Sequence, residues 1–199
     1  MRSNNIESLK KNLRLNQIQR SILTGMLLGD GHLEMQTGAR TYRLKVEHSI
    51  RQREYVEWLY EQFKNLVHGQ LYIRVKHLNG KQFASTGFTT YSLGSFRFYG
   101  QQFYVGRKKI IPKMISKLLD PVALAIWFMD DGSFKSDHHK TYIIHAIGYG
   151  KKDLELIKSV LEKKFGIEVG LHKQYERWRL YVYSRSAEKF AQLIRPYII

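Results

Sequence analysis

Two apolar segments that each end in Asp-Gly constrain the fold of this chain more than any other feature. Residues 23–31 and 124–132 both predict helices, and each places an aspartate directly before its final glycine. These aspartates, Asp30 and Asp131, lie 101 positions apart. A helix that is apolar on most sides needs another apolar helix as its partner. We therefore expect the two helices to pack side by side in the same direction, with both aspartates at one end.

The segments around these helices also repeat. A predicted strand opens at Thr41-Tyr42 and another at Thr141-Tyr142, 100 positions apart. Solenoid repeats have periods of only ~20–50 residues, so this spacing indicates a duplicated α+β unit instead. We predict an N-terminal half at residues 1–120, a C-terminal half at residues 121–199 and a pseudo-two-fold axis between them.

Periodicity assigns similar elements to both halves. Apolar residues at helical spacing, with cap and turn residues at the ends, predict helices, whereas alternation of apolar and polar residues predicts strands. The predicted helices cover residues 13–29, 53–67, 115–119, 122–130, 152–165 and 186–194, and the predicted strands cover residues 32–36, 42–49, 70–77, 88–99, 142–149, 168–173 and 177–183.

Charge and cysteine content narrow the function classes. The 199 residues include 33 Lys and Arg against 17 Asp and Glu, a formal net charge of +16, and no cysteine. The absence of cysteine excludes a disulfide scaffold, a thiolate nucleophile and a Cys-ligated metal. The positive excess is typical of nucleic-acid binding, where phosphates release counterions, although a basic surface that only aids solubility is the simpler alternative. No basic amphipathic helix stands apart from the folded pattern, which disfavours a membrane surface.

Localisation follows from two absences in the sequence. It contains no run of 18 apolar residues, and its first 20 residues lack the apolar core of a secretory signal. We expect an intracellular, non-secreted protein, and an organellar, archaeal, bacterial or phage origin stays open.

The position of the two aspartates suggests a metal. The C-terminal end of a helix carries partial negative charge, so two neighbouring carboxylates there need a compensating cation. Mg²⁺ accepts one or two carboxylates together with phosphate oxygens, and it can support in-line phosphodiester hydrolysis. An ordinary helix-ending Asp-Gly turn remains the alternative for either copy alone. Asp130 is not expected to act as an acidic ligand, because the matching position of the first half is Gly29.

These segments resemble the paired motifs of LAGLIDADG homing endonucleases in their single-chain, two-motif form. The surrounding stretches TYRLKVEHS at 41–49, KKIIP at 108–112 and WFMDDGS at 127–133 are also similar to that family. The resemblance implies two αββαββα halves whose antiparallel sheets form a DNA-binding saddle. It further implies a monomeric hydrolase of intron homing that cuts a long asymmetric site in double-stranded DNA.

The resemblance also implies residue roles. Mg²⁺ is the expected cofactor, Mn²⁺ is expected to substitute for it, and Ca²⁺ is expected to support binding without cleavage. The family pattern departs here in two ways, since Ile126 replaces a small residue and no second active-site lysine follows Arg195. The implied metal ligands are the carboxylates of Asp30 and Asp131 and the carbonyls of Gly29 and Asp130, and the implied further catalytic residues are Lys109, Lys45 and His145.

Strand alternation identifies the side chains that should contact DNA. Arginine suits bidentate contact with guanine, and lysine suits guanine or phosphate. The predicted contact residues are His32, Glu34, Gln36, Arg43, Lys45, Glu47, Tyr72, Arg74, Lys76, Ser133, Lys135, Arg177 and Arg179.

Two further functions are compatible with the same scaffold. A non-cleaving protein, either an RNA maturase that binds intron RNA or a DNA-binding regulator, is favoured by the missing second lysine. Retention of both Asp30 and Asp131 favours the nuclease. The nuclease module of an intein is disfavoured, because the chain has no cysteine.

Overall fold

The computed structural model describes residues 12–36, 38, 40–67, 69–135 and 141–199, whose contacts define two compact units. The first unit contains residues 12–19 and 31–100 together with residue 199, and the second contains residues 20–30 and 101–198. The segment that carries Asp30 therefore groups with the second unit. The two units are defined by contacts between residues, and they do not test whether the sequence repeats. The boundary between the two predicted halves, at residues 120 and 121, therefore stays a prediction.

The first unit is an α+β layer. Its antiparallel sheet has the order β1-β2-β4-β3, formed by β1 (His32–Met35), β2 (Tyr42–Ser49), β3 (Tyr72–Leu78) and β4 (Lys81–Thr89). Helix α2 (Arg53–Phe63) buries Val56, Leu59 and Phe63, and the Phe63 ring lies 6.5 Å from that of Phe88 on β4. Burial of this apolar face against the helix leaves the other face of the sheet polar.

Helix α1 (Gln17–Leu28) begins at a reciprocal cap. Asn16 Oδ1 accepts a hydrogen bond from Gln19 N at 2.8 Å, and Gln19 Oε1 accepts one from Asn16 N at 3.0 Å. This arrangement satisfies two backbone donors at the start of the helix.

The second unit has its own four-stranded sheet, in the order β7-β8-β10-β9. Helix α5 (Pro121–Asp131) starts at Asp120, whose Oδ1 accepts from Ala123 N at 2.8 Å, and it buries Leu124, Ile126 and Trp127 completely. The remaining strands are β5 (Tyr104–Val105), β6 (Lys108–Lys109), β7 (Gly132–Phe134), β8 (Tyr142–Ile144), β9 (Val169–Gln174) and β10 (Arg177–Val182), and the remaining helices are α3 (Arg97–Phe103), α4 (Ile115–Leu118), α6 (Lys151–Val160) and α7 (Ser184–Ile194).

Two predicted strands are wrong in extent. The strand expected at 88–99 is β4 at Lys81–Thr89, and helix α3 begins where a strand was expected. The strand expected at 142–149 ends at Ile144, because turns follow in which Ile147 N bonds to His145 O and Tyr149 N to Ala146 O. The α+β class is confirmed, and within the described residues no helix is long and apolar enough to cross a membrane.

Candidate active site and nucleic-acid interface

The two motif helices approach each other closely at Gly25. A Cβ atom on Gly25 of α1 would lie 2.4 Å from Ala123 O and 2.6 Å from Ile126 Cβ of α5. Ile126 occupies a position where the resemblance led us to expect a small residue. It fits because Gly25 has no side chain, so the close approach depends on one large residue facing one glycine.

The C-terminal ends of these helices meet, as the sequence predicted. The backbone N–H of Asp30 donates to Asp130 Oδ2 at 3.0 Å, and a Cβ on Gly29 would lie 2.5 Å from Asp130 Cβ. Burial and the neighbouring Asp30 carboxylate raise the pKa of Asp131 to about 6. The two acids are therefore close enough to repel each other electrostatically.

Asp131 is held by neighbours from two segments, the helix α5 and the turn after β8. Trp127 Nε1 donates to Asp131 Oδ2 at 3.1 Å from one turn earlier in α5, and His145 N donates to the Asp131 carbonyl at 2.8 Å. Ser133 Oγ lies 2.7 Å from His145 Nε2. Burial, together with the Arg179 charge, lowers the pKa of His145, so its imidazole is neutral at pH 7. Of the predicted catalytic residues, His145 thus lies beside Asp131.

Lys109 also lies at the helix ends, on the short strand β6. Its Nζ donates to the carbonyl of Gly29 at 2.5 Å. Burial lowers the pKa of Lys109, and the charges of Asp130, Asp30 and Asp131 oppose this shift. The ammonium thus partly neutralises the acid cluster, and it engages the same Gly29 carbonyl that the resemblance implied as a metal ligand.

Tyr149 is a site residue that sequence reasoning missed. Its hydroxyl lies 3.2 Å from Leu27 O and 2.9 Å from Leu28 O, so it donates to the last carbonyls of α1. Burial and the Asp131 charge raise the pKa of this phenol, which stays protonated. The sequence placed Tyr149 in a strand, and no local signal indicates that it reaches another helix.

The donor set fits a divalent cation. Asp30 is exposed, Asp131 is partly buried, and hard carboxylate oxygens suit Mg²⁺, which commonly completes its shell with water and substrate phosphate. Within the described ranges, no three His, Asp or Glu side chains converge to hold a metal alone. A cation here would therefore depend on two carboxylates and on oxygens from its substrate.

The polar face of the first sheet brings its predicted contact residues together. Strand register places His32 opposite Lys45 and Glu34 opposite Arg43, and it places Arg74 opposite Ser85. Glu34, Gln36, Arg43, Lys45, Tyr72 and Arg74 all line a groove of about 440 Å³. Lys45 lies in the first unit, and its catalytic role stays a prediction. Sequence reasoning missed the β4 contributors to this face, because it began that strand seven residues late; they are Lys81, Phe83, Ser85 and Thr89.

Glu47 is the organising residue of this face. Its carboxylate accepts hydrogen bonds from Ser85 at 2.8 Å and Tyr72 at 3.4 Å, and it pairs with Lys45 and Arg74, each at 3.3 Å. Partial burial raises the pKa of Glu47, but these donors and cations outweigh that effect and lower it overall. Tyr72 pairs with Gly87 on β4, and a Cβ on Gly87 would lie 2.8 Å from the Tyr72 hydroxyl. Because glycine has no Cβ, the Tyr72 side chain has the space to lie across the face.

The second sheet has a comparable polar face. Ile143 on β8 pairs with Ser133 on β7 and with Tyr181 on β10, so these three residues lie in one row across the sheet. Strand alternation puts Lys135, Arg177 and Arg179 on the same face as Ser133 and Tyr181. The Lys135 ammonium lies 5.0 Å from the centre of the Tyr181 ring, which stacks on His172 at 4.7 Å. The four contact residues predicted in this sheet therefore share one face, and Tyr181 and His172 are additions to it.

Comparison with known proteins identifies the family. The model of the LAGLIDADG DNA endonuclease family matches residues 20–190. Probable intron-encoded endonuclease 1 of Wickerhamomyces canadensis is 28% identical, over 93% of this chain and 82% of that protein. Cytochrome b mRNA maturase bI2 of Saccharomyces cerevisiae is 28% identical over 99% of this chain, which spans only 48% of that relative. A solved structure of the homing endonuclease I-WcaI bound to its DNA recognition sequence has a TM-score of 0.91 and 25% identity, covering 98% of this chain and 88% of that one. The chain belongs to the LAGLIDADG DNA endonuclease family.

Proposed function

We propose that this protein is a sequence-specific endonuclease that hydrolyses phosphodiester bonds in both strands of a long, asymmetric DNA site. The observation that carries the proposal is the meeting of Asp30 and Asp131 at the ends of two closely packed helices. The similarity to I-WcaI, described as bound to its DNA recognition sequence, supports the substrate class. Both motifs lie on one chain, so we propose that the protein acts as a monomer.

In this proposal the two carboxylates bind divalent cations, with Mg²⁺ as cofactor, Mn²⁺ as a substitute and Ca²⁺ as a cation that permits binding alone. The cation would lower the pKa of a bound water and stabilise the leaving oxygen. The carbonyls of Gly29 and Asp130 are further candidate ligands.

The chain's own residues supply positioning and charge. Lys109, at 2.5 Å from Gly29 O, places a cation beside the acids and stabilises negative charge on a bound phosphate. The His145 imidazole, neutral at pH 7, can orient water or accept a proton beside Asp131. We assign Lys45 a comparable polar role in the first unit. The basic residues of both sheet faces bind phosphates and base edges.

A second candidate function is that of an RNA maturase, and a specific observation favours it. A relative that matches 99% of the chain is named a cytochrome b mRNA maturase. In that case intron RNA would be the partner, and the acids would have no cleavage role.

Selection from a randomised duplex library tests the proposal. Duplexes bound in Ca²⁺ are recovered, and the protein is then given Mg²⁺, Mn²⁺ or chelator. We expect double-strand cuts with Mg²⁺ or Mn²⁺ and binding without cutting in Ca²⁺. Asp30→Asn and Asp131→Asn should each abolish double-strand cleavage while leaving affinity in Ca²⁺ nearly unchanged.

Glu155→Gln is the matched control, because Glu155 is an exposed acid on α6. It should cut like the wild type. Full cleavage by either aspartate variant would remove the metal assignment. Tight duplex binding by the wild type without cutting in any metal, combined with binding of intron RNA, would instead support the maturase.

A further inference from the structure

The polar face of the first sheet ends in an exposed aromatic side chain. Phe83 on β4 is 53% exposed and lies directly opposite Lys76 on β3. The next pair on this face joins Lys81 and Leu78, and Leu78 is 62% exposed. Apolar and cationic side chains therefore alternate at this end of the face.

Phe83 has no place in the core of its unit. Strand alternation puts it on the same side as Ser85 and Gly87, whereas Thr86 and Phe88 point to the buried side and are 2% and 0% exposed. Single exposed apolar residues are common, so exposure alone does not indicate a function. The position of Phe83 within a face of charged, hydrogen-bonding side chains is what calls for an explanation.

The surroundings of Phe83 restrict what it can contact. It lines a groove of about 770 Å³ together with Arg51, Lys76, Gln82 and Glu47. The cations there suit phosphates. A phenyl ring can neither donate nor accept a conventional hydrogen bond, so on the edges of paired bases it contacts apolar groups and not donors or acceptors.

The DNA major groove offers one such group, the 5-methyl of thymine. We infer that Phe83 is a specificity-determining residue that packs on a thymine methyl in the groove of the target. This inference rests on the proposed DNA-binding function. It also predicts a feature that phosphate contacts cannot produce, namely a preference for the methyl group itself.

The test replaces thymine by deoxyuridine, which removes only the methyl. The preferred duplex is identified by selection in Ca²⁺ with the wild type and with Phe83→Ala. We expect Phe83→Ala to lose the preference for thymine at one or two adjacent positions. Deoxyuridine there should weaken wild-type binding about three- to fivefold, because a buried methyl group contributes a factor of about that size. The same replacement should leave the affinity of Phe83→Ala unchanged.

Ile73→Ala is the matched control. Ile73 is 62% exposed on the same hairpin, but it pairs with Thr86 and so lies on the opposite face. This variant should keep both the thymine preference and the response to deoxyuridine.

The outcomes separate the inference about Phe83 from the proposed function. If the wild type binds a preferred duplex and deoxyuridine has no effect at any thymine, the inference about Phe83 is overturned and the proposed function stands. A preference for flexible pyrimidine–purine steps that ignores the methyl would instead indicate a wedge, and would also overturn it. If the wild type binds no duplex, both fail. The deoxyuridine measurement on the wild type needs no variant, so a folding defect in Phe83→Ala leaves the test intact.

Discussion

The side chain of Asp130 accepts a hydrogen bond from the backbone N–H of Asp30, with 3.0 Å between Oδ2 and N. The sequence suggested a role for the Asp130 carbonyl only. The carboxylate ties the end of one motif helix to the other and fixes where the backbone of Asp30 leaves α1. The Asp130 side chain thus positions Asp30, independently of any role of the Asp130 carbonyl as a metal ligand.

Replacing Asp130 separates its hydrogen bond from its charge. Asp130→Ala removes the acceptor and should lower the free energy of unfolding by about 1–2 kcal/mol. Asp130→Asn keeps an oxygen that can accept from Asp30 N and removes a charge from a crowded acid cluster, so it should be at least as stable as the wild type. Thermal denaturation of both variants without metal is the measurement, and equal melting temperatures would argue against this bond.

The pKa of Asp131 predicts a pH-dependent stability. It is raised from 3.8 to about 6, so the folded state holds more protons than the unfolded state between these values. The contribution of Asp131 to stability therefore falls as pH rises from about 4 to 6 and is constant above that. Asp131→Asn should be more stable than the wild type at pH 7.5 by about 1–2 kcal/mol, after allowance for partial solvent screening. Denaturant titrations across pH check this, and the advantage should disappear below pH 4.

Lys109 should matter for catalysis far more than for binding. Lys109→Met keeps the length of the side chain and removes the charge that faces Asp30, Asp130 and Asp131. We expect cleavage to fall at least about 100-fold, with affinity in Ca²⁺ within about threefold. Lys108→Met is the control, because Lys108 is the exposed neighbour on β6. Similar losses in both variants would contradict this prediction and would indicate that Lys109 is one of many phosphate contacts.

The contact between Gly25 and Ile126 should show energetic coupling. Gly25→Ala places a methyl group 2.6 Å from Ile126 Cβ and should destabilise the protein by about 2–3 kcal/mol. Ile126→Gly removes the Cβ and Cγ2 atoms that this methyl group would meet, and it should itself cost about 3–5 kcal/mol through the cavity it leaves and the lower helix propensity of glycine. The double variant should be less destabilised than the sum by about 1 kcal/mol or more, because only the overlap with Ala123 O then remains, and strict additivity would contradict the observed packing.

Glu47 should set sequence selectivity rather than stability. Glu47→Gln releases Lys45 and Arg74 from their ion pairs, so affinity for random duplex at low salt should rise about two- to fivefold. The preferred bases opposite these side chains should become less distinct, whereas unfolding free energy should change by under ~1 kcal/mol. Library selection at two salt concentrations measures both effects. Glu57→Gln on α2, which affects the pair with Arg53, should leave selectivity unchanged.

The sequence could predict the features that depend on residue type and spacing. Two apolar helices ending in Asp-Gly have few partners other than each other, so the meeting of Asp30 and Asp131 followed from pattern alone. Alternation along β2 likewise predicted that Arg43, Lys45 and Glu47 share a face, and their burial agrees.

Features that depend on contacts between distant parts of the chain could not be predicted from the sequence. Strand β4 was started too late because its stretch from Lys81 to Gly87 contains a single large apolar residue, Phe83, and so shows no apolar–polar alternation, and β3 beside it is an edge strand exposed along most of its length. The bond from Tyr149 to α1 joins residues 121 and 122 positions apart, and no local pattern encodes that distance. The packing of Ile126 against Gly25 is likewise a tertiary contact, since the sequence showed only that a large residue stands at position 126 where the family pattern has a small one.

That pairing of unequal residues also limits how far the two motif helices can replace each other. Both end in Asp-Gly, but an isoleucine at the position of Gly25 would bring its Cβ to 2.4 Å from Ala123 O. The two helices are therefore not interchangeable at this point of their contact.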